Sequence, residues 1–143
     1  MKSWEKFDEL IISTDKSKLN LKLIYNFLST AYWSKNRSTE IIDKSIKNSL
    51  CFGVYYKNEQ IGFARVVTDF SIFAYLADVF IIEAFRSRGI GKNLIRTILN
   101  YSELQDIKRW MLATSDAHKF YSHLGFTNLY KPEKFMEMIK NKN

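Results

Sequence analysis

With 143 residues, 46% of them apolar and a formal charge of +7, the chain has the material for one domain around one core, read here as residues 1–143. No apolar run approaches the roughly 18 residues of a membrane span. The opening Met1-Lys2-Ser3-Trp4-Glu5-Lys6 lacks the apolar stretch of a secretory signal, and Cys51 stands alone, so a reducing cytoplasm without internal disulfides is expected. The lysines are scattered (Lys16, Lys18, Lys22, Lys35, Lys44, Lys47, Lys57) and form no basic block. That pattern favours a solvated surface around a site for an anionic ligand over nucleic-acid binding.

In chain order, Phe7–Ser13 carries Leu10-Ile11-Ile12 and predicts a strand. Leu19, Leu23, Tyr25 and Phe27-Leu28 recur at helical spacing, which predicts a helix over Ser17–Ala31. Ser38 or Thr39 caps a second helix to about Asn48, with Ile41, Ile42 and Ile46 inward. Leu50–Lys57 and Ile61–Phe70 read as strands joined by the turn Asn58-Glu59-Gln60, and Ile72–Ile82 as a third. A helix over Gly89–Tyr101, a short buried strand at Trp110–Ala113 and a short helix at Ala117–Leu124 ending on Gly125 come next. Phe126–Tyr130 reads as another strand, and the tail after Pro132 as a last strand or a short helix. The sum is an α/β domain whose mixed, mostly antiparallel sheet is flanked by helices. The antiparallel run from Leu50 to Ile82 argues against a Rossmann fold, which alternates strand and helix from the start.

The densest chemical signal is Arg86-Ser87-Arg88-Gly89-Ile90-Gly91-Lys92, between the apolar run Tyr75–Ile82 and a helical pattern. Strand, basic glycine turn and helix in that order build an anion pocket. Glycine takes positive φ and lets backbone approach a ligand, and the first free N–H groups of the helix point at the anion. No glycine-lysine-serine/threonine triplet follows, so the turn is not a Walker loop. The two histidines and one cysteine make no zinc spacing, and no metal is expected.

The run Asp78–Leu94 resembles the acetyl-CoA signature of the GCN5-related N-acetyltransferases (GNAT), Arg/Gln-x-x-Gly-x-Gly/Ala after a valine-rich strand. Downstream, Phe120-Tyr121-Ser122-His123-Leu124-Gly125-Phe126 is similar to the family's aromatic-Tyr-x-x-x-Gly-Phe segment. The segments Ala31–Ser38 and Thr114–His118 also look like a bacterial subgroup of unassigned substrate. The chain departs from the common pattern at Glu83, where proline is frequent; this alters the strand exit and removes no group the cofactor needs. The resemblance implies the family's fold, an acetyl-CoA-dependent N-acetyltransferase activity on a primary amine of a small molecule or peptide, direct transfer in a ternary complex, and dimers as a common assembly. Val79, Phe80 and Ile81 would offer backbone groups to the pantetheine arm, lying like an extra strand on an open edge. Ser87, Arg88, Gly89, Ile90, Gly91 and Lys92 would surround the pyrophosphate, with Arg88 and Lys92 adding charge.

The resemblance makes Tyr121 the candidate general acid, since a phenol with a pKa near 10 is protonated at neutral pH and can protonate a departing thiolate. The alternative is a tyrosine packed on the core or bonded to the cofactor. The base is open among Asp78, Asp116 and His118. His118 shares a helix face with Tyr121, and a helix N-terminus favours the neutral imidazole that a base needs. The alternatives are a capping Asp116, a surface His118 and a structural Asp78. Tyr32, Trp33 and Arg37 form the candidate acceptor pocket, suited to a flat or anionic substrate or to a cation stacked on Trp33; the alternative is a hydrophobic bracket with a surface arginine. Two further functional readings stay open: a non-catalytic acyl-CoA sensor of the same fold, and an enzyme recruited to RNA by its charge.

Overall fold

The computed structural model describes residues 9–140. Phe7 and Asp8, the start of the first expected strand, lie outside them; the described part is β1 (Leu10–Ser13). Next come α1 (Leu21–Thr30), α2 (Thr39–Lys47), β2 (Leu50–Tyr56), β3 (Glu59–Thr68), β4 (Phe73–Ile81), α3 (Ile90–Leu99), β5 (Arg109–Met111) and α4 (His118–Ser122). The chain divides into two compact units, Met1–Ala113 and Thr114–Asn143. The first holds the whole sheet and the first three α-helices; the second holds α4 and the tail.

The five strands lie in sequence order, antiparallel from β1 to β4 and parallel between β4 and β5. This is the mixed, mostly antiparallel α/β architecture read from the sequence. Capping chemistry sets the helix starts. Asp15 accepts from the Ser17 amide at 2.9 Å and confines Lys16–Lys18 to one 3-10 turn. Asn20 accepts from the Leu23 amide at 3.1 Å, so α1 begins at Leu21 and not at Ser17. Ser38, not Thr39, caps α2 by accepting from Ile41 at 3.1 Å.

On one face of the sheet, Ile24 and Leu28 of α1 and Ile42 and Ile46 of α2 form a core with Cys51, Phe63 and Phe80. Each helix contributes an i, i+4 pair, as one helical stripe does. Ile41, expected to point inward, is exposed, because it sits one position off the Ile42–Ile46 stripe. Burial pushes the Cys51 thiol up to about 11 against weaker opposing effects of Lys16 and Arg65, which makes it a packing residue and no nucleophile. The strand register turns Phe52 to the opposite face, where its ring meets Tyr101, just past α3, edge-on at 5.2 Å. Ile90, Leu94, Ile95 and Ile98 form the buried stripe of α3.

One expectation fails beyond Gly125. Phe126–Tyr130 forms no strand, and Tyr130 is almost fully exposed. The tail makes one 3-10 turn at Pro132–Lys134 and then runs irregularly, with Met136 exposed. Apolar character there is not matched by a pairing partner, and a strand without a ladder leaves its peptide groups to water.

Candidate functional site

The site begins with a mismatch in strand length. β4 has nine residues, but β5 pairs only with its first three, Phe73↔Arg109, Ala74↔Trp110 and Tyr75↔Met111. From Leu76 to Ile81 the far side of β4 has no partner strand among the described residues. A β-bulge lies inside that stretch. Phe63 faces Phe80 and Arg65 faces Ala77, so Ala64 opposes two residues, Asp78 and Val79. Asp78 occupies the left-handed region at φ 54°, which aspartate tolerates better than most side chains. The extra residue re-phases the strand. Ala77, paired with Arg65, and Phe80, paired with Phe63, now share the α1–α2 face although they stand three positions apart.

Register also decides which peptide groups face outward. The Ile82 amide donates to the Ile61 carbonyl at 2.8 Å, so the antiparallel ladder turns Phe80 and Ile82 toward β3 and leaves Val79 and Ile81 on the far side. The Ile81 carbonyl accepts from Arg86 Nε at 2.8 Å. Of the three residues expected to hold a pantetheine arm, Val79 and the Ile81 amide therefore present backbone to the open edge. Phe80 contributes its ring instead, stacked on Phe27 at 4.0 Å.

The strand leads through a 3-10 turn at Glu83–Phe85 into the basic glycine turn. Ser87 and Gly89 both have positive φ, 63° and 83°. Gly89 is the N-cap of α3 and no side chain caps the helix, so the amides of Ile90, Gly91 and Lys92 meet no capping group. Ser87, Arg88, Gly89 and Lys92 are exposed. A Cβ on Gly89 would meet nothing within 4 Å, so glycine is required there by conformation and not by space. Ten residues of α3 stand behind those amides with the positive end of the dipole outward. Backbone donors, positive φ, a helix terminus and basic side chains fit the two phosphates of a pyrophosphate. Gly89→Ala is expected to cost about 1 kcal/mol of stability from the left-handed backbone alone, readable as a lowered denaturation midpoint, together with weaker nucleotide binding by calorimetry.

At the bulge, Asp78 is buried, its side chain 1% exposed, and it is fully engaged. Arg37 Nη1 donates to both carboxylate oxygens at 2.9 Å. Arg65 Nε donates to Oδ2 and Trp33 Nε1 to Oδ1, each at 2.9 Å. Arg65 reaches on to Ser49 at 3.0 Å. Burial alone would raise the Asp78 pKa and is the largest single influence, but Arg65, Arg37 and Trp33 together outweigh it and hold the carboxyl below its usual range. A carboxylate so satisfied and so acidic is a poor proton acceptor at neutral pH, which favours the structural role weighed for it. The connection between α1 and α2 is fixed for this purpose. Buried Ser34 donates to the Leu28 carbonyl at 2.7 Å and accepts from the Arg37 amide at 3.0 Å, which aims Trp33 and Arg37 at Asp78. Trp33 lies edge-on to Tyr32 at 5.1 Å. Of the three expected acceptor-pocket residues, Trp33 and Arg37 thus meet on Asp78, and Tyr32 packs on Trp33. Arg65 was missed. A lone guanidinium inside the apolar run Gly62-Phe63-Ala64-Arg65-Val66-Val67 is a signal that a buried partner waits for it.

In the second unit, α4 is one short turn. Tyr121 is half-buried between Phe120 and Phe126, with ring centroids at 5.0 and 5.8 Å. Its amide closes the helix on the Ala117 carbonyl. Asp116 does not cap the helix: Thr114 Oγ1 accepts from the Ala117 amide at 3.0 Å, and Asp116 is exposed. His118 is exposed at the first helical position, three residues before Tyr121. Gly125 takes φ 104° just past the helix, as a C-terminal glycine does. Among the described residues no group of acidic, histidine or cysteine side chains could hold a metal ion, and no helix is long and apolar enough to cross a membrane.

Comparison with known proteins bears on the same residues. The chain matches the Acetyltransferase (GNAT) family over residues 21–126. It is 31% identical to a protein of Gibberella zeae provisionally named an acetyltransferase, over 86% of this chain and 81% of that one. A crystal structure from Xanthomonas campestris pv. campestris, provisionally named an acetyltransferase of the GNAT family, is 40% identical and covers 91% of this chain and 92% of its own, with a TM-score of 0.88. A GNAT family acetyltransferase from Elizabethkingia anophelis with acetyl-CoA bound shares the fold at 19% identity and a TM-score of 0.65, over 94% of this chain and 90% of its own.

Proposed function

We propose that this chain, which belongs to the acetyltransferase (GNAT) family, transfers the acetyl group of acetyl-CoA to a primary amine of a small molecule or peptide by direct attack. The observation that carries the reading is the unpaired edge of β4 from Leu76 to Ile81, running into an uncapped helix terminus behind Gly89. The edge suits an extended amide-bearing arm and the helix terminus suits a pyrophosphate. The relative crystallised with acetyl-CoA supports the same donor. Bound there, acetyl-CoA supplies an activated thioester.

Val79 and the Ile81 amide would hold the arm, and the amides of Ile90, Gly91 and Lys92, with the Arg88 and Lys92 side chains, would hold the phosphates. With the phosphates held at Gly89 and the arm along Val79–Ile81, the thioester would be presented toward the bulge at Asp78. Tyr32, Trp33 and Arg37 line the acceptor side. Orienting amine and thioester together lowers the barrier by several kcal/mol, roughly, without covalent participation by the protein. Tyr121 is assigned as the acid that protonates the departing thiolate. His118 and Asp116, exposed on the same short segment, take the amine's proton directly or through water; Asp78 is left out of that role by its ion pairs.

Release of free thiol from acetyl-CoA across amines, peptides and polyamines tests the reading, alongside calorimetric titration with acetyl-CoA. Amine-dependent release is the expected result. Binding without release from any amine would favour a sensor of the same fold, and absence of binding would overturn the assignment of the β4 edge and the glycine turn.

A further inference from the structure

We propose that Arg37 is a specificity residue that grips the carboxylate of the acceptor, so that the acceptor is a small amino carboxylate with an apolar or flat body. The inference rests on the acetyl-transfer reading of the β4 edge and names the class of amine that site takes.

The argument starts from charge. Two guanidinium groups, Arg37 and Arg65, share the single carboxylate of Asp78. Neither meets another carboxylate among the described residues, so one positive charge at the bulge is left uncompensated. Geometry locates it. Arg65 is held at Nε by Asp78 and at Nη1 by Ser49, and its side chain is 12% exposed. Arg37 spends only Nη1 on Asp78, and its side chain is 29% exposed. Its Nε and Nη2 therefore remain as donors on a guanidinium that the Asp78 contact already holds still. A planar guanidinium with its orientation fixed loses little freedom on gripping a second carboxylate. A partly buried cation in that state favours an anion over water as its next neighbour.

The flanks indicate the rest of the ligand. Trp33 and Arg37 meet on the same oxygen of Asp78, so the indole lies beside the guanidinium. Trp33 and Tyr32 keep 38% and 55% of their surfaces exposed while packed edge-on together. Exposed aromatic surface next to a charged fork suits a molecule with an anionic end and an apolar or flat body. Asp78 precedes Val79, the first residue of the edge assigned to the donor, so an amine close to the gripped carboxylate stands near the thioester. A simple cation stacked on Trp33 is disfavoured, because the nearest outward group is itself cationic.

The test uses pairs of acceptors that differ only in the carboxylate: phenylalanine against phenethylamine, tryptophan against tryptamine, leucine against isoamylamine. Steady-state thiol release with saturating acetyl-CoA should give each amino acid a kcat/KM at least tenfold above its decarboxylated partner, the size expected of a charge-assisted contact. In Arg37→Gln that ratio should fall to near one through a rise in KM for the amino acids, a change that general loosening of the fold would not produce, since it would lower both members of a pair. Asp78 keeps Arg65 and Trp33 in this variant. Should it fail to fold, Arg37→Lys retains the charge and loses the fork, and its ratio should fall severalfold. Equal or better use of the decarboxylated amines by the unaltered protein, or a ratio preserved in the folded variants, overturns the proposal. So does absence of binding when the CoA-loaded protein is titrated calorimetrically with phenylalanine and leucine. Failure of acetyl-CoA itself to bind is a separate result and removes the donor reading beneath it.

Discussion

Asp78→Ala is expected to lower the stability of the protein by about 3–5 kcal/mol, the usual consequence of removing one member of a buried ion pair. Two guanidiniums would then lose the carboxylate that compensates them, the Trp33 indole N–H would lose its acceptor, and a left-handed position would pass to a residue that tolerates it less well. Against a total stability of about 5–15 kcal/mol for domains of this kind, that is a large share, and urea denaturation should show it directly. Asp78→Asn separates the contributions. It keeps the shape, one acceptor oxygen for Trp33 and the left-handed preference, and loses the charge together with the second acceptor oxygen, which becomes an NH2 donor facing the guanidiniums.

The pH dependence fixes the sign. The folded-state pKa of Asp78 lies below the ordinary aspartate value, near 3.9 in unfolded chains. The folded state therefore binds the proton less readily than the unfolded state. The stabilisation from ionised Asp78 is fully present above about pH 4 by that linkage and is lost as pH falls through the lower folded value. The stability gap between the unaltered protein and Asp78→Asn should thus be constant from pH 7 to 5 and close as the pH drops below about 4. A gap that stays open in acid would mean that the lost acceptor oxygen, not the charge, sets the contribution.

Tyr121→Phe should lower kcat by about a hundredfold or more, in the range of a positioned general acid, with the KM for acetyl-CoA little changed. Only the hydroxyl is removed, and the ring contacts with Phe120 and Phe126 stay available; urea denaturation of the variant checks the fold separately from the rate. A slower leaving group shifts the comparison: the more basic the departing thiolate, the larger the ratio of the two proteins' rates should become. An unchanged kcat would reduce Tyr121 to a packing residue and leave solvent to protonate the thiolate.

Local chemistry along the chain was enough to place most of the secondary structure. The helical spacing of Leu19, Leu23, Tyr25 and Phe27-Leu28, and the Ile42–Ile46 pair, announce their helices because 3.6-residue periodicity survives any tertiary arrangement, although the buried pair of α1 is Ile24 and Leu28. Ser38 and Gly89 mark helix starts because caps act within four residues. The antiparallel run from β2 to β4 is legible from its alternation and the turn at Asn58. Arg86–Lys92 is legible as an anion turn for the same local reason. Family membership was within reach too, since the two glycine-bearing motifs stand at their expected separation.

Three things were settled only by tertiary structure. The bulge at Asp78–Val79 has no sequence mark, because an extra residue on one strand is defined by its partner, and that partner, Ala64, lies far away in sequence. The open edge of β4 depends on how short β5 is, which pairing decides and apolar composition does not. The roles of Arg37, Arg65 and Trp33 depend on a buried carboxylate reached from two separate segments, and a charge needs its partner in space, not in sequence. Phe126–Tyr130 shows the converse: a sequence with strand composition forms no strand where no ladder receives it. The sequence determined the elements and the anion turn; the tertiary structure determined the edge, the bulge and the ion pairs, because each of these is a relation between residues that only folding brings together.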